Sequence, residues 1–130
     1  MRTTVYNLLR GVSIDIPDER IYQMGSIDET PVRPFMVYRL TGGGSGVTAN
    51  HPSKAVRLEV WVHDQPGSYT RIDDTLRDVE ERFADVLHAS YREGESISQI
   101  AFDSRSPDLD DTGFRTICRM SSFTLIGKGQ

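Results

Sequence analysis

Residues 56–87 read VRLEVWVHDQPGSYTRIDDTLRDVEERFADVL, and two different periods meet in them. Val56, Leu58, Val60 and Val62 alternate with Arg57, Glu59, Trp61 and His63, the period of two that a half-buried strand requires. Asp64-Gln65-Pro66-Gly67 is a turn sequence, and the Ser68 hydroxyl is placed to accept a backbone amide as the cap of a helix. Ile72, Leu76, Val79, Phe83, Val86 and Leu87 then recur at helical spacing. Burying those six side chains is worth on the order of 10 kcal/mol before entropy, so the helix needs a surface to lie on. The Val56–Val62 face is its obvious receiver. Asp73, Asp74, Arg77, Asp78, Glu80, Glu81, Arg82 and Asp85 occupy the opposite face, which reads as the wet side of the helix.

Upstream, Phe35-Met36-Val37-Tyr38-Arg39-Leu40 is a β-branched and aromatic run that stops at Gly42-Gly43-Gly44-Ser45-Gly46. Sequential strands usually pair, which predicts an antiparallel neighbour for 56–63 across a long loop, residues 41–54. Downstream, Ile97–Phe102 and Phe114–Ile126 read as two more strands, separated by a long acidic hairpin through Asp103–Gly113. In the last strand Ile117, Phe123 and Leu125 share one parity while Phe114, Cys118, Met120 and Ile126 share the other, which predicts a bulge near Arg119–Ser121. Near the start, Val5, Leu8 and Leu9 suggest a short helix over Thr4–Arg10 that stops at Gly11, and Val12–Ile16 alternates like a strand. Arg20–Ile27 has no clean period, and Pro31 and Pro34 bracket an extended stretch. The expected class is α+β, one domain over residues 1–130: a mixed, mostly antiparallel sheet packed on one face by a long amphipathic helix and a short N-terminal helix, with two long protruding loops.

Composition narrows the chemistry. With 15 Lys+Arg against 19 Asp+Glu the net charge is −4, so no basic cluster is available to hold nucleic acid nonspecifically. The one cysteine, Cys118, cannot form an internal disulfide, and no signal peptide or long apolar span is expected. Gly46 is followed by Val47-Thr48 rather than Lys-Ser/Thr, so the glycine run is a surface loop and not a P-loop. Asp108-Leu109-Asp110-Asp111-Thr112-Gly113 opens like a calcium loop, but the twelfth position is Arg119, a cation where a closing carboxylate belongs. His51, His63 and His88 fall in a loop, on the outer side of a strand and near a helix end, without metal-ligand spacing. No nucleophile elbow is present and Cys118 reads as a small buried hydrophobe, so neither catalytic residue, cofactor nor metal is expected.

Trp61 stands out, because its parity sets it with Arg57, Glu59 and His63 away from the aliphatic face. A tryptophan is costly to leave wet. Either a second layer of the same chain covers it or a neighbouring subunit does, and aromatic residues with arginine are the composition of interface centres.

The run Phe35-Met36-Val37-Tyr38-Arg39, the long loop, Val56–Asp64, Gly67-Ser68-Tyr69-Thr70-Arg71-Ile72-Asp73, and the ending Ser106–Asp111, Phe114–Arg119 and Ser122–Gly127 follow one another in a characteristic order. Over residues 35–127 this resembles the tail terminator, or tail completion, proteins of long-tailed bacteriophages. The resemblance implies a structural protein that forms a homo-oligomeric ring, a hexamer, on the head-proximal end of a finished tail tube in the virion after assembly in the host cytoplasm. Such a ring stops tube polymerisation and offers a surface to the head connector or closure protein, with DNA only passing through its lumen. The expected partner-contacting residues are Val47, Thr48, His51 and Lys54 in the glycine loop, Arg57 and Trp61 on the strand, and Arg105, Asp108, Asp110 and Asp111 in the acidic hairpin. A head-closure or adaptor ring protein is the nearest alternative, and a small ligand-binding or hydrolytic domain the more distant one.

Overall fold

The computed structural model describes residues 2–27, 31–42, 55–92 and 97–127. In chain order the elements are α1 (Arg2–Leu9), a single 3-10 turn at Asp18–Arg20, β1 (Ile21–Gln23), β2 (Phe35–Gly42), β3 (Ala55–Asp64), α2 (Thr70–Arg92), β4 (Ile97–Arg105), β5 (Leu109–Asp111) and β6 (Thr116–Gly127). They build a six-stranded mixed sheet in the order β1-β2-β3-β6-β4, with β5 also on β6. Only β1 runs parallel to its neighbour. The class is α+β, with the long helix and the short N-terminal helix packed on the sheet.

The strand over 56–63 and its antiparallel pairing with β2 are as the alternation predicts, in a register that sets Phe35 opposite His63 and Leu40 opposite Leu58. Leu58, Val60 and Val62 share their face with Met36 and Tyr38 of β2 and with Ile117, Phe123 and Leu125 of β6. Onto it pack Ile72, Leu76, Val79 and Phe83 of α2, with Val5 and Leu9 of α1, all essentially inaccessible to solvent. The helix starts where the turn sequence directs: the Thr70 N–H donates to Ser68 Oγ at 3.2 Å. The Arg71 guanidinium grips Asp64 through two hydrogen bonds of 2.8 and 2.7 Å, tying the end of β3 to the first turn of α2.

Three expectations are corrected. Val12–Ile16 is a turn, not a strand: Gly11 ends α1 at φ 69°, and the Asp15 N–H bonds Ser13 Oγ at 3.2 Å, which bends the backbone out of the extended region. The bulge expected near Arg119–Ser121 is absent, since β3 and β6 pair without a shift from Ala55↔Ile126 to Asp64↔Ile117. The irregularities lie instead in β4, between Ile97 and Gln99 and between Phe102 and Ser104. The acidic hairpin is also far less open than its composition suggests. β4 continues to Arg105, and β5 pairs with β6 from Leu109↔Cys118 to Asp111↔Thr116. Ser106 bridges the two short pieces, its N–H donating to the Met120 carbonyl and its hydroxyl accepting the Met120 N–H.

The reason no bulge is needed is that α2 is not merely wet on its polar side. Arg119 and Ser121 share the helix-facing side of β6, and Asp73 and Glu80 reach them. Arg119 Nη1 donates to Asp73 at 2.7 Å, and Ser121 donates to Glu80 at 2.7 Å. Arg105 adds a two-pronged contact to Glu80, with distances of 2.9 to 3.1 Å. A polar seam therefore continues the aliphatic core along the same face of the sheet.

Arg82, also on the polar side of α2, turns toward α1. Its guanidinium donates to the carbonyls of Leu8, Arg10 and Gly11 at 3.2 to 3.3 Å. Those carbonyls lie at the end of α1, where the helix cannot satisfy them itself. Arg82→Ala should cost about 1–2 kcal/mol and lower amide protection in α1 while leaving α2 protected; equal loss of protection in both helices would overturn this assignment.

Candidate functional site

The sheet has a second face, which the helix-bearing core does not include. Across β2, β3 and β6 its rows are set by register: Phe35–His63–Cys118, Val37–Trp61–Met120 and Arg39–Glu59–Ser122. The strip Arg57, Glu59, Trp61, His63 found by alternation lies on this face, but it is not uniformly exposed.

At the end nearest the β5–β6 turn the strip is sealed by aromatic rings. His63 lies on the face its parity assigns, yet it is only 4% exposed there. Its ring stacks on Phe35 with centroids 4.6 Å apart and planes 7° from parallel. Phe114 stands edge-on to both rings, at 5.4 Å from Phe35 and 5.6 Å from His63. His63 Nδ1 shares a 2.8 Å hydrogen bond with Thr116 Oγ1. Burial pushes the imidazole down from 6.5 to about 4, only partly opposed by Asp111. Across the ladder, burial and then the charges of Asp111 and Asp110 push the Cys118 thiol up to about 11. Both neighbours are thus uncharged at neutral pH, the reverse of what a thiolate–imidazolium nucleophile needs.

Towards the middle, Glu59 is buried between two half-exposed arginines, 2.6 Å from Arg39 and 3.1 Å from Arg57. Between this triad and His63 sits Trp61, partly buried, whose indole N–H has no acceptor among the described residues. Trp61 forms one wall of a cleft of about 310 Å³ with Met24, Gly25, Ile27, Val37, His63, Asp111 and Phe114. The sequence after β1 explains that wall: the Met24 N–H bonds the Tyr38 carbonyl at 2.8 Å and Gly25 turns the chain at φ 96°. Residues 24–27 are thereby brought beside Val37.

Phe114 is shared with a second, polar cleft of about 630 Å³, lined by Pro31, Val32, Arg33, Gln65, Gly113 and Arg115. Arg33 Nη1 donates to the Arg115 carbonyl at 2.9 Å, and neither guanidinium has a carboxylate partner among the described residues. Arg115 itself occupies the tight β5–β6 turn at φ 57°.

The residues expected from sequence are scattered by this geometry. Trp61 lines the aromatic cleft with Asp111, whose carboxylate also accepts the Phe114 N–H at 2.9 Å. Arg57 is exposed and occupied with Glu59. Arg105 is turned inward onto Glu80, Asp108 is exposed 3.4 Å from Arg119, and Asp110 is exposed on β5. Val47, Thr48, His51 and Lys54 lie outside the described residues, as does the side chain of His88. Sequence reasoning missed Met24, Ile27 and Phe114, since only the parallel β1–β2 pairing and the β5–β6 turn bring them to Trp61, and it missed Arg33 and Arg115, which line the adjoining polar cleft. The one available signal was the aperiodic apolar content of 21–27. No protein-family model matches the chain, and no curated protein matches it.

Proposed function

We propose that the chain is a structural component of a long-tailed phage, a tail terminator that assembles as a ring on the completed tail tube, stops its growth and receives the head. The observation that carries this reading is the second face of the sheet. An aromatic cleft built on Trp61, bordered by arginines, has the composition of a protein–protein contact rather than of a reaction centre. A Cys–His nucleophile at this pair is disfavoured, because burial keeps both the His63 imidazole and the Cys118 thiol uncharged. The α+β sheet with its long helix agrees with the terminator, because head-closure proteins tend to be nearly all β. The ring is a homohexamer, in keeping with the resemblance, and it bears no catalytic role.

Electron microscopy of tails assembled with and without the protein tests the proposal. Tubes made without it should run to uncontrolled lengths and fail to join heads. Tubes of normal, uniform length in its absence would sink the reading.

A further inference from the structure

The described surface carries an apolar knob flanked by carboxylates and an apolar cleft with two arginines in the adjoining hollow. The knob is Ile14, whose side chain is 101% exposed. It is held out by a defined turn: Ser13 and Ile16 are buried on either side, the Ile16 N–H reaches the Ser13 carbonyl at 3.4 Å, and the Asp15 N–H bonds Ser13 Oγ at 3.2 Å. Residues 13–19 contain Asp15, Asp18 and Glu19 and no cation, and all three carboxylates are exposed. The cleft is walled by Met24, Ile27, Val37, Trp61 and Phe114, with Asp111 on its rim. Beyond Phe114 stand Arg33 and Arg115, without carboxylate partners among the described residues.

We infer that the Ile14 turn of one copy of this chain docks into the Trp61 cleft of another, with its carboxylates against Arg33 and Arg115. The occupant is a second copy because the same chain presents both halves, an aliphatic side chain among anions and an aromatic cleft beside cations. An isoleucine left fully in water forgoes the burial energy that the cleft offers, and opposite charges at the edge of such a contact set its register. The knob cannot fill the cleft of its own molecule, since its side chain lies entirely in solvent. Gln65 lines both the hollow that holds Asp15 beside Arg71 and the cleft that holds Arg33 and Arg115. Repeated in one direction with a rotation that closes, the contact makes a ring; made reciprocally, it makes a dimer. The inference deepens the ring proposal and rests on it only for the number of copies.

The test is native mass spectrometry and light scattering of the full chain at low and high salt, with three variants. Ile14→Asp should weaken self-association at least tenfold, and Arg33→Glu with Arg115→Glu should do the same. Adding Asp15→Arg and Asp18→Arg to the latter should restore it. Circular dichroism confirms that each variant folds, and Ile14 is chosen because nothing in the fold touches it. Separately, an Ile14→Cys protein mixed with a Met24→Cys protein, both carrying Cys118→Ala, should form a disulfide between copies when oxidised glutathione is added as the two-electron acceptor. Oligomers that persist unchanged in all variants, with no cross-link, overturn the docking contact and leave the ring standing. Wild-type dimers that the variants dissociate support the contact and refute the ring. A wild-type monomer at every concentration and salt, including in the presence of tail tubes, overturns both.

Discussion

Arg119→Ala should lower the unfolding free energy by about 3 kcal/mol, read as a shift of the urea midpoint at unchanged slope. Arg119 is the hinge of the polar seam between α2 and β6. Its guanidinium donates to Asp73 at 2.7 Å and twice to the Ser106 carbonyl, at 3.0 and 2.8 Å. Only 20% of the side chain is exposed, so water cannot replace these bonds fully when the arginine is removed. The Ser106 carbonyl would keep the desolvation cost of its position and lose both bonds from the guanidinium, while Asp73, 41% exposed, would keep only the longer 3.9 Å contact with Arg105. The contrast is Asp74→Ala, one residue away on α2 but 53% exposed and paired, among the described residues, with the similarly exposed Arg77. That change should fall within about 0.5 kcal/mol of wild type. Equal effects from the two substitutions would show that the helix carboxylates act only as a solvated face.

Acidification should destabilise the protein through His63 by about 3 kcal/mol between pH 7 and pH 4. The sign follows from where the proton binds. In the unfolded chain the imidazole has its ordinary value of 6.5, whereas in the fold burial holds it at about 4. Between these values the unfolded state carries the proton and the folded state does not, so stability is full above about pH 6.5 and is lost as pH falls towards 4. The groups facing the ring are Phe35, Phe114, Thr116 and the carboxylate of Asp111. His63→Gln keeps a polar atom for Thr116 and removes the titration. Its stability should therefore fall less steeply than wild type over this interval, the carboxylates being common to both proteins. Parallel curves for the two proteins would show that the imidazole is already accessible to protons in the fold.

How much of this was legible beforehand depended on distance along the chain. The aliphatic alternation at 56–62, the turn 64–67 and the stripe Ile72–Phe83 involve neighbours within a few residues, and each appears in the structure as read. The alternation at 12–16 misled because Val12, Ile14 and Ile16 keep the same spacing in a turn, where the Ser13 hydroxyl competes for a backbone amide. The parity of β6 misled because Arg119 and Ser121 looked unfit for a core face, and only α2, folded back from 40 residues away, supplies their partners Asp73 and Glu80. The site was half legible. Trp61 could be singled out by its parity, yet Phe114 comes to it through the β5–β6 turn and Met24 through a parallel strand pair.

The sequence by itself determined the α+β class, the strand–turn–helix at the centre and the face of β3 that takes the helix, because period and turn chemistry act over a handful of bonds. The tertiary structure alone decided which charges are buried, that His63 is sealed between rings, and that Ile14 stands bare while a cleft forms beside Trp61. Burial and charge pairing depend on side chains far apart in the chain, and no local pattern encodes which of them will meet.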